Sequence, residues 1–275
     1  MSESGYLINE EDRDFLNSLP LLSSEVLFSD AGYQEIRLDP RKLIRIENQG
    51  SQGSCAGHSL SSILEWCYTV ATGGDIIQYS RAMAYYEAQR ISGIRGDSGS
   101  TISAGVKLGM QTGLCVEELW KYPPRYDNTR PVNYQSVLEN ASKNKVGSAT
   151  KITTYESYRV FLGAGLGGVH NGIAWGNGMN RAVIESFSPG GGGHAIAGLC
   201  LSERTDTQGR PYVWIANSWG LQFGSRDVPG WQEWSPNAIT QMLRHQWTEM
   251  VGLSDMTVPR PRKFNVDEWK ERLRS

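Results

Sequence analysis

The chain is short of every feature that marks an unusual environment. No stretch approaches the roughly 20 apolar residues that a membrane-spanning helix needs. Charge is nearly balanced, 27 basic against 29 acidic residues for a net −2, so nothing points to nucleic acid or an anionic membrane as partner. Only four cysteines occur, at 55, 67, 115 and 200, and none stand in a close C-x-x-C pair. That excludes a disulfide-stapled secreted scaffold. Cysteines 67, 115 and 200 sit among apolar neighbours and read as buried thiols, so the expected compartment is reducing, the cytoplasm. The four histidines (58, 170, 194 and 245) form no zinc-ligand cluster with the cysteines, so neither metal nor cofactor is expected. Met1-Ser2-Glu3-Ser4-Gly5 offers no basic region followed by an apolar run, so no secretory signal is expected. What remains is a globular composition, 39% hydrophobic and 20% charged over 275 residues. That is enough to bury a core as one domain or two tightly packed halves.

The most informative segment is Asn48-Gln49-Gly50-Ser51-Gln52-Gly53-Ser54-Cys55-Ala56, which runs into the apolar-periodic stretch Leu60 to Val70. A glycine-rich loop that delivers a cysteine into the first turn of a helix is a place to stabilise a thiolate. The helix amides and macrodipole favour negative charge there, and the thiolate is the nucleophilic form. The bland alternative is a buried cysteine acting as a small hydrophobe.

Two later segments shift that balance. Gly190-Gly191-Gly192-Gly193-His194-Ala195-Ile196-Ala197-Gly198 puts a histidine at the start of an apolar run that reads as a buried strand. Val213-Trp214-Ile215-Ala216-Asn217-Ser218-Trp219-Gly220 puts an asparagine at the end of another. Singly, His194 reads as a satisfied core histidine and Asn217 as a turn residue at a strand end. All three in the order Cys, His, Asn are harder to dismiss.

These segments resemble the papain family of cysteine peptidases. In that family histidine and asparagine follow the cysteine by about 130–150 residues; His194 lies about 140 residues on and Asn217 slightly beyond the window. Asn217-Ser218-Trp219-Gly220 matches the family's asparagine segment residue for residue, and Gln49 stands six before Cys55, where the family keeps its oxyanion-hole glutamine. Tyr79 to Tyr86, Asp97-Ser98-Gly99-Ser100 and Gly113 to Pro123 resemble intermediate segments of bacterial members, so the likeness spans roughly residues 39 to 250.

The resemblance implies that His194 takes the thiol proton and holds Cys55 as a thiolate, far below the free value of about 8.5. Asn217 would orient the imidazole, Trp219 would shield that bond, and Gln49 with the Cys55 N–H would donate to the oxyanion. Ser98, Gly99 and Gly193 would line the substrate side, the first two offering backbone groups to an extended peptide. Three positions depart from the pattern. Gln52 replaces a disulfide cysteine of secreted relatives, Ala56 an aromatic residue after the nucleophile, and Gly193 an aspartate before the histidine. None removes a catalytic atom.

Helical patterns at Leu60–Val70, Arg81–Gln89 and Ser103–Gln111 precede strand-like runs at Ala195–Leu201 and Tyr212–Ala216. The expected class is α+β: a papain-like two-lobed fold, with a helical lobe over about 55–125, a β-rich lobe over about 150–250, and the cleft between them. Residues 1–38 form an N-terminal extension too short and too irregular for a helical pro-segment, and a strand-like arm packed on the body is expected. Residues 39–258 would be the peptidase domain. Residues 259–275 read as a stiff basic linker and a short amphipathic helix, expected to dock on the body, with recruitment of an assembly partner as the alternative. Trp231 and Trp234 are expected to cover the loops after the asparagine segment.

Two decoys need weighing. Gly163-Ala164-Gly165-Leu166-Gly167-Gly168 fits G-x-G-x-x-G, with Glu185 near the distance of a ribose-binding acid, but Val169 to Trp175 is strand-like where a dinucleotide site needs a helix N-terminus. His58 shares the helix of Cys55, yet His194 is the better base by its position in the family pattern. The expected function is a cysteine endopeptidase acting on peptide or protein substrate. The leading rival is a papain fold reused as a structural or peptide-binding component of a larger assembly, such as a viral particle. Cell-wall amide hydrolysis or acyl transfer on a related fold is disfavoured by the long Cys–His gap.

Overall fold

The computed structural model describes residues 5–22 and 35–258. Two elements open the chain: strand β1 (Tyr6–Leu7) and helix α1 (Glu10–Ser18). The helical half follows with α2 (Cys55–Thr72), α3 (Arg81–Ser92), strand β2 (Ser100–Thr101), α4 (Ile102–Gln111) and α5 (Tyr134–Ala141). The second half holds β3 (Val146–Lys151), α6 (Tyr155–Gly163), β4 (Gly167–Trp175), β5 (Val183–Ile184), β6 (Gly192–Thr205), β7 (Pro211–Ala216), β8 (Trp231–Trp234), α7 (Pro236–Leu243) and β9 (Glu249–Met256). The class is α+β, helices first and strands later.

The central helix α2 places Leu60, Ile63, Leu64 and Cys67 on one stripe, the spacing of a core-facing helix, and all four are buried. It stops at Gly73, whose left-handed φ of 70° lets its N–H close back on the carbonyls of Thr69 and Val70. Helix α3 starts where the Ser80 side chain accepts from the Met83 N–H, and α4 where Thr101 accepts from the Ala104 N–H.

Seven strands form one sheet in the order β3-β9-β4-β6-β7-β8-β5, antiparallel except for the β5–β8 pair. The middle of the sheet is covered on both faces, and every residue of β4, β7 and β8 is buried. Ala195, Ala197 and Leu199 of β6 join the core shared with the helices, whereas Ile196 joins the second core beneath α6 and α7. An irregularity between Gly198 and Cys200 reverses that phase, so that Cys200 faces the first core and Leu201 the second. Trp231 and Trp234 lie inside the sheet on β8, paired to β7, rather than over a loop, because their strand alternation buries them at 3% and 0% exposure.

Helix α1 also departs from expectation. Its sequence is too polar to show a stripe, but Leu16 is buried and Asp12 is tied to Thr101 and Lys107, so tertiary contacts hold it in place. The G-x-G-x-x-G run joins the end of α6 to the start of β4, a helix-to-strand turn. No helix N-terminus is there to receive a phosphate, and the dinucleotide reading fails on that geometry. All four cysteines are free thiols and buried. No helix among the described residues is long and apolar enough to cross a membrane. Residues 259–275, with their expected linker and helix, lie outside the described residues.

Candidate active site

Cys55 is the first residue of α2, and the Ser54 side chain does not cap the helix; its hydroxyl pairs with the Tyr122 hydroxyl at 2.6 Å. The Cys55 sulfur is fully buried and accepts the N–H of Ala195 at 3.3 Å. Ala195 directly follows His194, so β6 brings the histidine segment onto the nucleophile helix. His194 Nε2 lies 2.8 Å from Asn217 Oδ1, which also accepts the Ser218 N–H at 2.7 Å. Trp219 stacks on the imidazole with ring centres 4.5 Å apart, and Trp175 meets it edge-on at 4.7 Å. The two indoles keep water from the His194–Asn217 bond.

The Gln49 loop is tied to the same segment. Gln49 N–H donates to the Ser218 carbonyl at 2.8 Å, the Ser218 hydroxyl donates to Gln49 Oε1 at 2.6 Å, and Gln49 Nε2 donates to the Gln52 carbonyl at 2.8 Å. The side-chain amide is thereby held, and its second N–H is left to serve another acceptor. Gln49, Cys55, His194, Asn217 and Trp219 are thus brought together.

On the substrate side the arrangement differs from expectation. Ser98 is exposed at the rim, and the backbone groups of Gly99 are engaged internally, its N–H by the Tyr85 hydroxyl and its carbonyl by Gln89. The strand-pairing edge lies one residue further on, at Ser100 and Thr101, and it is occupied by the chain's own N-terminal arm. β1 pairs with β2 in parallel, Tyr6 opposite Ser100 and Leu7 opposite Thr101, and the Ser100 N–H donates to the Gly5 carbonyl at 3.1 Å. Gly5 rests on the nucleophile: a Cβ there would stand 2.6 Å from Cys55 Sγ and 2.8 Å from the Gly53 carbonyl. Gly193 faces the arm from the other side, where a Cβ would stand 2.2 Å from the Tyr6 carbonyl oxygen. The Tyr6 ring fills a pocket against Gly172 and Ile102, and its hydroxyl donates to Glu249 Oε2 at 2.8 Å.

The covered site is electrically quiet. Burial pushes the Cys55 thiol up to about 12, and burial pulls His194 down to about 4 against the opposing effect of Asn217. With the arm seated, burial opposes both charges of the expected thiolate–imidazolium pair. The reason is dehydration, since neither charge has water to stabilise it. Burial likewise raises the Glu249 carboxyl above its ordinary range, with the Tyr6 hydroxyl pulling it back in part.

His58 and His170 are engaged in packing away from Asn217. His58 Nδ1 bonds the Ser54 carbonyl at 3.1 Å while its ring packs edge-on to Tyr122, and His170 Nδ1 pairs with the Ser59 hydroxyl at 2.8 Å. No group of three or more His, Cys, Asp or Glu side chains suited to a metal occurs among the described residues. Tyr6, Ser218, Trp175 and Glu249 were not singled out in the sequence. Ser218 and Trp175 carried some signal, as neighbours of a motif and of a strand end; Tyr6 and Glu249 carried none.

No protein-family model matches the sequence, and no curated protein matches it either. Solved structures do. Xylellain, a cysteine protease from Xylella fastidiosa, aligns with TM-score 0.70 and 18% identity over 94% of this chain and 98% of its own. Procathepsin B S9 from Trypanosoma congolense aligns with TM-score 0.66 and 15% identity over 92% of this chain and 86% of its own. Bromelain from Ananas comosus, solved with the inhibitor E64, gives TM-score 0.60 and 13% identity over 80% of this chain and 98% of its own. The chain has the papain-like fold. Here Cys55 opens α2 in the helical half, and His194 on β6 and Asn217 just past β7 stand in the β-rich half.

Proposed function

We propose that the protein is a cysteine peptidase that cleaves peptide bonds through Cys55, His194 and Asn217. The observation that carries this reading is the His194–Asn217 hydrogen bond, roofed by Trp219 and attached through Ala195 to the Cys55 sulfur. With the arm displaced by substrate, His194 would take the thiol proton and the thiolate would attack the scissile carbonyl. The second N–H of the Gln49 amide and the Cys55 N–H would receive the oxyanion, and each such donor is worth about 10²–10³ in kcat. Protonated His194 would hand its proton to the leaving amine, and water would release the acyl group from sulfur. Asn217 would hold the ring in the orientation that both transfers need. Substrate backbone would lie along Ser100 on one wall and Gly193 on the other, with Ser98 and Gly99 shaping the rim. The free thiols suit a reducing, cytoplasmic setting.

The test is an epoxide inhibitor directed at papain-like enzymes, applied over hours to the full chain and to Cys55→Ser, with intact mass and peptide-library hydrolysis as readouts. One adduct on the wild type, absent from Cys55→Ser, with hydrolysis lost in parallel, is the expected result. The seating of Gly5 on the nucleophile favours one other reading, a peptide-binding or structural component that performs no proteolysis. A folded chain that neither labels nor hydrolyses any peptide would establish that reading instead.

A further inference from the structure

We propose that Gln52, which stands between Gln49 and the nucleophile, is a positioning residue for the oxyanion donor. Its side-chain amide clamps the Gln49–Ser54 loop to the helical half and so fixes the Gln49 amide relative to Cys55. The proposal rests on the peptidase reading for what the clamp serves; the clamp itself is a matter of how one loop is held.

Gln52 is polar yet only 1% exposed, which is unfavourable unless both ends of its amide find partners. Its Nε2 donates to the Pro123 carbonyl at 2.8 Å, and its Oε1 accepts from the Tyr86 hydroxyl at 2.9 Å. Tyr86 is buried on α3, and its hydroxyl also accepts the Asp127 N–H at 3.2 Å, so the clamp ends on a packed helix. The main-chain carbonyl of Gln52 accepts from Gln49 Nε2 at 2.8 Å. One residue therefore ties the oxyanion amide to α3. The two residues after it are tied in the same manner. The Gly53 N–H donates to Asp97 Oδ1 at 2.7 Å, and the Ser54 hydroxyl pairs with that of Tyr122, which donates to the Gln49 carbonyl at 3.0 Å.

Gln52 holds the position at which secreted relatives carry a disulfide cysteine, and all four cysteines here are free. Two buried hydrogen bonds hold the loop where a covalent bond would, and a reductant does not open them. The placement matters because an oxyanion donor has to lie within about 2.7–3.1 Å of the developing oxygen. A misplacement of about 1 Å can cost about 10²-fold in rate. The Gln49 amide is gripped at both ends and from both halves of the molecule. The Ser218 hydroxyl, beside Asn217, fixes its Oε1, and the Gln52 carbonyl fixes its Nε2. Releasing the Gln52 side chain from α3 leaves the Oε1 grip intact and frees only the end that carries the donor.

Gln52→Met in the full chain tests this by keeping the length of the side chain and removing both of its bonds. Tyr86→Phe tests it again at the far end, where only a hydroxyl is lost. Two readouts are taken on the wild type and both variants: deuterium uptake of the 48–55 segment by mass spectrometry, and kcat and KM on the peptide amide that the wild type cleaves fastest from a library. Uptake at that segment should be at least about fivefold faster in both variants, with β4 and β6 as protected as before. In Gln52→Met kcat should fall about tenfold with KM within about twofold, short of the roughly 10²–10³ for outright loss of an oxyanion donor. A glutamine that merely stabilised the fold would lower the melting temperature and leave kcat unmoved. Uptake within about twofold of wild type in both variants, with melting temperatures showing them folded, would overturn the clamp. Faster uptake with kcat unchanged, or a loss confined to KM, would overturn the positioning role. A wild type that hydrolyses no peptide sinks the peptidase reading and the oxyanion role with it, whereas uptake still decides whether Gln52 holds the loop.

Discussion

Arg81→Met is the substitution most informative about what holds the nucleophile helix. Glu65 lies about ten residues down α2 from Cys55, roughly 15 Å along the axis. It takes two bonds from the Arg81 guanidinium, at 2.5 and 3.0 Å, and a third from the Tyr79 N–H at 2.9 Å. Both side chains are 2% exposed. Burial raises the Glu65 carboxyl and pulls the Arg81 guanidinium down, but Glu65 holds Arg81 above its ordinary value, and the two-pronged bond with the Tyr79 N–H favours the ionised pair. Methionine at 81 would leave a buried carboxylate with one donor and the Tyr79 carbonyl without its guanidinium. Breaking a buried pair from one side costs about 3–5 kcal/mol. At about 2–4 °C per kcal/mol for a chain of this class, the melting temperature should fall by roughly 6–20 °C. Glu65→Gln added to Arg81→Met keeps an acceptor for the Tyr79 N–H while removing the stranded charge, so the double variant should recover about half the loss or more. Urea denaturation of the four chains supplies the cycle. A single-variant loss below about 1 kcal/mol, or losses that simply add, would refute the account of α2 as clamped by a buried ion pair.

Acid should unfold the protein through its buried histidines. Burial lowers His58 and His170 to about 3 and His194 to about 4, so the unfolded chain binds protons that the folded chain refuses between pH 6.5 and those values. Stability present above pH 6.5 is then lost as pH falls, at up to about 4 kcal/mol per pH unit for three sites. His170→Gln should flatten the urea-midpoint profile by about a third, and an unchanged slope would count against the assignment. Ser218→Ala should lower kcat about five- to tenfold with little change in KM, because it frees the Gln49 amide from the hydroxyl that fixes it at 2.6 Å. A variant that moves KM alone would mean that Gln49 serves binding and not the oxyanion.

The parts legible beforehand were those whose information is local. Gly53-Ser54-Cys55 ahead of the Leu60, Ile63, Leu64, Cys67 stripe spells a helix that starts on a cysteine, and α2 does so. Ala195–Leu201 was legible as a strand core, though pairing with β4 and β7 extends β6 to residues 192–205. Helix α1 was missed because its stability comes from Leu16 and Asp12 meeting partners far along the chain. Trp231 and Trp234 were misplaced because tryptophan alone does not distinguish a loop cover from a sheet interior; pairing with Val213 to Ala216 decides it.

The site divides the same way. The α+β class was legible in the sequence itself; there Cys55, His194 and Asn217 stood out as candidates by residue type and order, and Gln49 by resemblance. Whether the four meet, and in what charge state, depended on the tertiary structure. Desolvation is set by what packs around a group, and part of that packing at Cys55 is Gly5, some fifty residues upstream and without any signal of its own. Tyr6 and Glu249, more than two hundred residues apart, form one hydrogen bond only because β1 and β9 approach the cleft from opposite ends of the chain. No periodicity or motif encodes such a contact; packing alone does.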